Sequence, residues 1–575
     1  MDVSGSLNNA LQISGKLIDS YEKMDIPVQT YVLTILLPAF LFFLGTVIAA
    51  VFWNTLLAVR LLLPVLGALM LLGGVAYPKI AIDRRRIEME NRFHLMVTHM
   101  TILSTTNIDR MEVFRKLAKE EEYGELTTEN RRVVQLVDIW NQSLDDALQR
   151  RAKEIPSDSV TDLFERLAYT LGAGQELQDF LYEEHDVIIE NYKTVYEQSL
   201  ENLDVLKDLY LSMVLSMTFA LVFAVVLPIL TSTNPTWTVS AVIVIYVFIQ
   251  IGFYSVIKTV VPYDPLWYIE GGLQTKPQRR VLAATGISII GFLILTVSLL
   301  GAAFNIPPFT LIPIESIPSQ LYMAIPIIPL LIPAFEFRRQ ENAIIDRDDE
   351  FPSFIRALGT SESAKQATTS TVLKTLKNKD FGSLTPEIEN LYARLNMRLK
   401  TTNSWRYFAR DTQSYLIQKF SEMYLIGREM GGEPKKLGEL IGKNMNEVNQ
   451  LREQRRQVSV TLVGLMYGIT AASTFAFFTG LEIATIMSGF ELEVGNGQFN
   501  FGQLIHTESY NIPLLKFMLY MIIVFNALVS SITIRTADGG HYGNAFLHFV
   551  ALVWIGSMTA LGTEMIIEGL LDVDI

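Results

Sequence analysis

Apolar runs and two long polar stretches alternate along this chain. Spanning a bilayer as a helix takes about 20 apolar residues, and nine runs of roughly that length carry few or no charged side chains. They start near Tyr31, Val59, Leu209, Val239, Val281, Thr310, Val458, Pro513 and Ala545. The pattern predicts about nine transmembrane helices. Prolines in the sixth run predict a kinked or partly re-entrant segment there, because proline removes a backbone donor.

The two polar stretches, 83–208 and 337–456, have a helical pattern of their own. In the second stretch, apolar residues recur at three and four positions at Ile388, Leu391 and Leu395, which is one face of an α-helix. We expect a small helical bundle in each stretch and negligible β-structure. The predicted fold class is therefore an all-α polytopic membrane protein, with about nine transmembrane helices and two homologous cytoplasmic helical bundles.

An internal duplication relates the two bundles. The segment "EYGELTTENRRVVQL", from Glu122, is similar to "DFGSLTPEIENLYARL", from Asp380. A shift of 258 positions relates three pairs of residues without a gap: Phe93 and Phe351, Gly124 and Gly382, Gly174 and Gly432. Similarity at a fixed distance is the signature of a repeated structural unit. We expect all four glycines to have structural roles, and we expect Gly174 and Gly432 to lie at helix C-caps or in tight turns between antiparallel helices.

The spans place both repeats on one side of the membrane, since two spans precede the first repeat and four lie between the repeats. Short cytoplasmic loops are rich in Lys and Arg, and the connection 262–280 contains one Lys and two Arg. The opposite loops, 232–237, 303–309 and 489–512, contain neither residue type. We predict a multi-pass protein of the cell membrane with the N-terminus and both repeats in the cytoplasm and the C-terminus outside.

This topology divides the chain into six parts. The predicted boundaries are 1–30 for an N-terminal cytoplasmic segment, 31–82 for transmembrane helices one and two, 83–208 for the first cytoplasmic domain, 209–336 for transmembrane helices three to six, 337–457 for the second cytoplasmic domain and 458–575 for the last three transmembrane helices. The two cytoplasmic domains differ in charge. Residues 83–208 contain 16 Lys and Arg against 27 Asp and Glu, whereas 337–456 contain 21 against 16.

Domains of common origin but opposite charge suggest different partners or a mutual contact. Helical spacing in the second repeat collects six basic residues that we define as the basic face: Lys374, Lys377, Arg394, Arg398, Arg406 and Arg410. The basic face is either ordinary solvated surface or a docking surface for a cytoplasmic protein with acidic patches. Nucleic acid is disfavoured as a partner, because basic and acidic residues alternate and the chain has a net charge of −13.

The sequence offers little catalytic chemistry. The chain contains no cysteine, which excludes thiolate metal sites and cysteine nucleophiles. The segment Gly438 to Lys443 is one residue too short for a phosphate loop and lacks the following Ser or Thr. The six histidines lack carboxylates at metal-binding spacing. We therefore expect no enzyme activity, no metal and no cofactor.

Four carboxylates lie near or within the predicted spans: Glu315, Glu482, Glu564 and Glu568. Intramembrane acids are candidates for ion or proton pathways. All four lie toward the outer ends of their helices, where water reaches them. Roles at the membrane interface or in helix packing are therefore favoured over an ion pathway.

Particular segments of the chain resemble a known family. Two homologous helical bundles, each followed by membrane helices, are similar to the F-domain platform proteins of type II secretion and type IV pilus machines, and in particular to the archaellar assembly platforms of the archaeal branch. The resemblance rests on "FPSFIRALGTSES" from Phe351, "DFGSLTPEIENLYARL" from Asp380, "FSEMYLIGREMGGEPKKLGELI" from Phe420 and "DGGHYGNAFLHFVALVW" from Asp538, and it covers essentially the whole chain. Repeat one departs from the pattern, with Ala173-Gly174 where repeat two has Gly431-Gly432.

The resemblance implies a platform without its own ATPase. It implies a homodimer that pairs with a hexameric cytoplasmic secretion ATPase and lifts archaellin or pilin subunits from the membrane into a filament. The junction "LREQRRQ" from Leu451 contains no Gly or Pro, which predicts one continuous helix from repeat two into the seventh span.

Three other functions stay open. The first is the platform of an archaeal type IV pilus or secretion system. The second is a secondary transporter, which would also have internal repeats and a proline-broken helix. A polytopic membrane enzyme is the third, and the missing catalytic motifs disfavour it.

Overall fold

The computed structural model describes residues 27–52, 57–106, 108–231, 233–268, 276–303, 317–489 and 511–571. Helices dominate these residues, and the only β-type pairing among them is an isolated antiparallel bridge between Trp267 and Ser414. The predicted class, an all-α polytopic membrane protein, is confirmed.

The chain divides into two compact units, residues 1–190 with 426–433, and residues 191–425 with 434–575. Helices of the first unit include α1 (Leu37–Phe52), α2 (Leu57–Ser104), α3 (Arg110–Leu117), α4 (Glu125–Asp138), α5 (Leu144–Ala152), α6 (Asp158–Gly172) and the start of α7 (Leu177–Val226). Short apolar-faced helices pack the core of this unit, with Phe114, Val133 and Phe164 fully buried.

Most membrane helices belong to the second unit. After α7 come α8 (Pro235–Val260), α9 (Lys276–Ala303), α10 (Leu331–Lys365), α11 (Thr369–Leu376), α12 (Thr385–Asn396), α13 (Thr401–Thr412), α14 (Tyr415–Glu429), α15 (Pro434–Gly489), α16 (Ile512–Asp538) and α17 (Ala545–Leu571). One large apolar core joins the membrane helices of this unit, including Leu221, Tyr246, Phe478, Ile523 and Val553.

Both repeats have the same order of elements, as the duplication predicts. In repeat one, α3 is followed by a 3₁₀ turn (Glu121–Tyr123) and then by α4, α5, α6 and α7. In repeat two, α11 is followed by a 3₁₀ turn (Gly382–Leu384) and then by α12, α13, α14 and α15. Gly124 directly follows the first of these turns and Gly382 begins the second, with φ of +57° and +54°, a left-handed conformation that favours glycine.

The prediction that Gly174 corresponds to Gly432 is wrong by one residue. Gly174 (φ +80°) matches Gly431 (φ +87°), because both glycines end a helix in the left-handed conformation. In each case the next residue closes the turn: Gln175 N–H donates to the Thr170 carbonyl at 3.1 Å, and Gly432 N–H donates to the Gly427 carbonyl at 2.8 Å.

The change of register occurs before the next helix of each repeat. Asn141 and Arg398 both adopt positive φ, 51° and 58°, just after α4 and α12, and they lie 257 positions apart. Repeat two is therefore one residue shorter between its first glycine and this turn. A difference of one residue at a helix end leaves the order of the helices unchanged. The three residue pairs related by one fixed shift could not locate such a difference.

Seven described segments are long and apolar enough to cross a membrane: Gln29–Ala50, Leu177–Val226, Pro235–Val260, Pro277–Ala302, Pro434–Ile486, Ile512–Asp538 and Tyr542–Ile567. The count of nine is not confirmed. The run near Val59 enters α2, where several side chains lie outside the described residues. The run near Thr310 begins outside them, and its described part forms only 3₁₀ turns, Ser319–Leu321 and Ile328–Leu330, before α10. Prolines in this part remove backbone donors that a continuous helix needs.

The last helix of each repeat continues without a break into a membrane span. Helix α7 has 50 residues and α15 has 56. At 1.5 Å per residue, these lengths correspond to about 75 and 84 Å, well beyond the hydrocarbon thickness of about 30 Å. The predicted continuity of "LREQRRQ" is confirmed, because these residues lie inside α15.

The left-handed glycines predict a measurable stability difference. Gly174 and Gly431 have nothing within 4 Å of an added Cβ, so only the backbone conformation opposes a side chain. We expect Gly431→Ala to lower the free energy of unfolding by about 1 kcal/mol, whereas Gly431→Asn loses less, because Asn tolerates this conformation. Thermal unfolding of purified protein in detergent checks the order Gly, Asn, Ala. Equal unfolding midpoints for the three proteins would contradict a left-handed conformation at Gly431. The match between Gly431 and Gly174, which rests on that conformation, would then fail as well.

Candidate functional site

The basic face of repeat two lies on α11, α12, α13 and the residues that follow α11 and α12. Lys374, Arg398 and Arg406 are exposed. Lys377, Arg394 and Arg410 contact neighbouring aromatic rings. Lys377 lies over the ring of Tyr392, with Nζ 4.7 Å from the ring centroid.

Arg394 and Arg410 share an aromatic and an acidic neighbour. Their guanidinium carbons lie 5.4 and 4.9 Å from the ring centroid of Tyr407. Asp411 is ion-paired with Arg394, and its other oxygen lies 3.6 Å from Arg410. A guanidinium over an aromatic face is attracted by the ring quadrupole, so Tyr407 helps to fix both arginines in position. The negative charge of Asp411 offsets one of their two positive charges.

The basic face is thus partly built into the domain. Three members are exposed. Lys377 packs the end of α11 against α12. Arg394 joins α12 to α13 through Tyr407 and Asp411, which Arg410 also contacts. Sequence reasoning missed Tyr392, Tyr407 and Asp411. The stacking of Arg410 on Tyr407 could have been suspected from the sequence, because residues three apart share a helix face. Nothing in the sequence indicated that Arg394 pairs with Asp411.

A second charged cluster lies where α15 leaves repeat two. Arg452 donates from Nε and Nη2 to the two oxygens of Asp264, at 2.7 and 2.6 Å, and from Nη1 to Asp348 Oδ2 at 2.8 Å. Asp264 belongs to the connection after α8, and Asp348 to α10. One guanidinium therefore joins three parts of the second unit. Bidentate pairing of this kind is directional as well as strong.

Asp348 is the carboxyl most affected by this arrangement. Burial raises the pKa of Asp348 to about 7 and nearby Asp264 adds to the rise, although Arg452 and Ser414 oppose it. Because one cation faces two carboxylates, the cluster has a surplus negative charge when both are ionised. Asp348 therefore retains its proton up to near-neutral pH.

Arg455, one turn further along α15, binds backbone carbonyls instead of carboxylates. It donates to the carbonyls of Ala537, Thr536 and Pro262 at 2.7, 3.0 and 3.1 Å. The first two are at the C-terminal end of α16, whose last carbonyls lack helical partners. A cation there also complements the helix dipole. Arg455 thus fixes the end of α16 to α15.

Arg535 completes the connection from α16 to α10. It is almost fully buried and lies 2.6 Å from Glu341. Glu341 also accepts from the backbone N–H of His541 at 2.5 Å and from Asn544 Nδ2 at 2.8 Å. A Cβ on Gly540 would collide with the Arg535 guanidinium. The motif "DGGHYGN" is therefore explained by packing around this ion pair.

These contacts line a cleft of about 540 Å³ within the second unit. We call Asp264, Glu341, Asp348, Arg452, Arg455 and Arg535, which all line it, the charged junction. The described residues contain no cluster of His, Asp or Glu suited to a metal ion. The geometry is that of a structural anchor between helices.

Two of the four predicted membrane carboxylates are paired. Lys516 Nζ lies 2.7 Å from Glu564 and 3.7 Å from Glu482, so one cation joins α15, α16 and α17. This arrangement supports the helix-packing role. Lys516 was missed, although its position one turn into α16 could have suggested a partner. Glu315 and the side chain of Glu568 lie outside the described residues.

The raised pKa of Asp348 gives a pH-dependent stability. Because the folded pKa of about 7 exceeds the ordinary 3.8, the stabilisation is complete below about pH 4 and is lost as the pH rises to 7. We expect the unfolding free energy of the native protein, relative to Asp348→Asn, to fall between pH 5 and 8 by at most about 1.4 kcal/mol per pH unit. Denaturant unfolding in detergent at the two pH values checks this.

The exposed carboxylate Asp380 provides the matched control. Asp380→Asn removes a carboxylate of the same kind at an exposed position, and its difference from the native protein is measured at the same two pH values. A pH-independent difference for Asp348→Asn would mean that Asp348 is ionised in the folded protein throughout this range.

Comparisons with known proteins agree with the geometry. The family model for "Type II secretion system (T2SS), protein F" matches residues 96–227, which contain most of repeat one and the span that follows it. "Flagella accessory protein J" of Methanococcus voltae is 32% identical over 561 residues, covering 96% of this chain and 99% of the relative. The protein of the same name from Methanocaldococcus jannaschii is 31% identical over 562 residues, covering 97% and 99%. No solved structure matches the chain.

The resemblance inferred from the sequence is confirmed, since these relatives align with nearly the whole chain. It also agrees with the duplicated all-α fold and the membrane helices that continue from each repeat. The chain belongs to the archaeal flagella accessory protein J family, a group of membrane platform proteins with the type II secretion protein F domain.

Proposed function

We propose that this protein is the cytoplasmic-membrane assembly platform of an archaellum. In this role it couples a hexameric cytoplasmic secretion ATPase to the extraction of archaellin subunits from the membrane and their addition to the filament. The observation that carries the proposal is the continuity of α7 and α15 from the helical repeats into membrane spans. The names of the full-length relatives favour a flagellar role over other filaments.

Continuous helices are suited to transmitting force. A helix resists bending because its hydrogen bonds must lengthen or break. A torque applied to repeat two therefore reaches the membrane part of α15 without loss in a flexible linker. In this proposal the protein performs no catalysis itself, and the ATPase supplies the energy.

The exposed part of the basic face, Lys374, Arg398 and Arg406, is the proposed docking surface for the ATPase. The neighbouring stack of Arg394, Tyr407 and Arg410 holds α12 and α13 together and presents this surface on a rigid support. The first domain has the opposite charge balance, 16 basic against 27 acidic residues in 83–208. In the proposed machine it contacts a different component.

The remaining features of the proposal concern assembly and topology. The platform acts as a homodimer, with the N-terminus and both repeats in the cytoplasm and the C-terminus outside. A platform for an archaeal type IV pilus is the second candidate, favoured by the match to the broader type II secretion protein F family. The same lever geometry would serve either filament. Deleting the gene and testing for loss of archaella or of pili distinguishes the two.

Charge reversal tests the docking surface. Exposed ion pairs contribute about 0–1 kcal/mol each, so single changes should do little. Reversing Lys374, Arg398 and Arg406 together to Glu should weaken ATPase binding about tenfold or more and reduce its salt dependence. Binding of the purified ATPase to the platform in nanodiscs, measured at two salt concentrations, checks this result.

The control reverses three exposed acids of the first unit, Glu176, Asp179 and Glu183, to Lys. This variant changes as many charges but should bind the ATPase normally. Unchanged affinity and salt dependence in the basic-face variant would leave that face as ordinary solvated surface.

Reporter fusions test the topology. A reporter active only in the cytoplasm should give a signal when fused after Arg280 or within 337–456, and none when fused after Ile575. The physical reason is the excess of Lys and Arg in cytoplasmic loops. A signal after Ile575 would place the C-terminus in the cytoplasm and would require an even number of spans.

A further inference from the structure

A chain of buried polar side chains crosses the membrane part of the second unit. It runs from Tyr210 on α7 through Gln250 on α8 and Asn526 on α16 to Thr470 on α15, and we call these four residues the polar relay. Each has at most 4% of its surface exposed. The relay connects α7 and α15, the two helices that carry the repeats into the membrane.

The hydrogen bonds of the relay are continuous. The Tyr210 hydroxyl lies 3.4 Å from Gln250 Oε1, to which it can donate. Gln250 Nε2 donates to Asn526 Oδ1 at 2.8 Å, and Asn526 Nδ2 donates to Thr470 Oγ1 at 3.3 Å. Three successive bonds thus link α7 to α15.

Two side branches support the relay, one at its middle and one at its α7 end. Gln250 Nε2 also donates to the Tyr246 hydroxyl at 2.9 Å, and that hydroxyl donates to Asn526 Oδ1 at 3.1 Å. Ser530 Oγ lies 3.2 Å from the Tyr210 hydroxyl. The Gln250 amide therefore uses both of its donor hydrogens, and its carbonyl has an acceptor role. A satisfied buried network of this kind favours one arrangement of its members.

Apolar residues surround the relay. Leu221, Phe253, Met466, Leu519 and Ile523 belong to the same buried core. Hydrocarbon and apolar side chains cannot replace a lost hydrogen bond, whereas water can at a protein surface. Sliding α15 relative to α7 would leave polar groups unpaired in this environment. The geometry therefore opposes independent movement of the two helices.

We propose that the polar relay couples the two repeats mechanically, so that a movement of α15 is passed to α7 within the membrane. This inference rests on the proposed function, in which repeat two receives the motion of the ATPase. It adds that repeat one is moved through the membrane helices and needs no motor contact of its own. The relay is then a transmission element, and the direct apolar packing of the helices is not sufficient for it.

The variant Gln250→Leu with Asn526→Leu interrupts the relay at both central residues. Tyr246→Phe is added to this variant, because the Tyr246 hydroxyl would otherwise lose both of its partners. Replacing all three polar side chains by apolar ones avoids an unpaired buried hydroxyl at position 246, so the fold should be retained. The matched control is Tyr467→Phe with His548→Leu, which removes a 2.8 Å hydrogen bond between α15 and α17 outside the relay. Tyr210→Phe removes a single hydroxyl and serves as a milder interruption if the triple variant does not fold.

Spin labels report the movement of each helix. The chain contains no cysteine, so Val205→Cys on α7 and Val460→Cys on α15, both exposed, give unique labelling sites in separate proteins. The platform is placed in nanodiscs with the secretion ATPase, and spectra are recorded with and without ATP. In the native background we expect both labels to respond.

Interrupting the relay should leave the Val460 response intact and reduce the Val205 response at least about fivefold, the lower end of typical coupling between sites. The Tyr467 and His548 control should retain both responses. A Val205 response that survives interruption of the relay, or that is absent from the native background while Val460 responds, would overturn the proposal.

An ATPase-independent arm separates this inference from the proposed function. Arg452→Gln removes the central cation of the charged junction and loosens the base of α15. With the relay intact, the Val205 label should become more mobile, and with the relay interrupted this change should fall at least about fivefold. If ATP causes no change in the spectrum of the Val460 label, the proposed function fails. The Arg452→Gln comparison then tests the polar relay by itself. The relay is supported if its interruption reduces the change at Val205 at least about fivefold, and it is overturned if the change persists.

Discussion

The unbroken backbone hydrogen-bond ladder of α7 and α15 is the constraint on which the other features depend. In hydrocarbon, each N–H and C=O must find its partner inside the helix. These two helices maintain that ladder over 50 and 56 residues, from a helical domain through the membrane. Each of these two helices therefore behaves as one stiff element. The side-chain contacts of the second unit act on these elements as anchors.

The charged junction is the strongest of those anchors. Arg452 and Arg455 are one turn apart on α15, and they bind Asp264, Asp348 and the end of α16. Removing one partner of a buried ion pair typically costs about 3–5 kcal/mol, because the other charge remains unpaired. The same number of apolar contacts would permit sliding, whereas these directional bonds set the level at which α15 enters its span. In the proposed function, the junction therefore determines where α15 receives a force applied to repeat two.

Local features of the sequence predicted the fold well. The sequence could not predict contacts between side chains that lie far apart along the chain. The duplication is visible as similarity at a fixed distance, and the continuous α15 follows from rules that act within a few residues. Arg452 and Asp264 are 188 positions apart, and no pattern in one sequence connects them. Asp411 likewise changed the meaning of the basic face, because its pairing with Arg394 depends on how α12 packs against α13. The described part of the Pro-rich sixth run forms 3₁₀ turns, in agreement with the expected irregular segment. Composition alone had counted this run as a transmembrane helix.

The two repeats have kept the features that backbone geometry requires and have diverged where it requires nothing. Gly174 and Gly431, like Asn141 and Arg398, retain positive φ at equivalent helix ends. In contrast, the charge balance has reversed between 83–208 and 337–456. A duplicated domain whose copies served one partner would not be expected to reverse its surface charge, since electrostatic complementarity determines partner choice. In the proposed function, the shared fold supplies two equivalent levers, and the difference in charge determines which of them meets the motor.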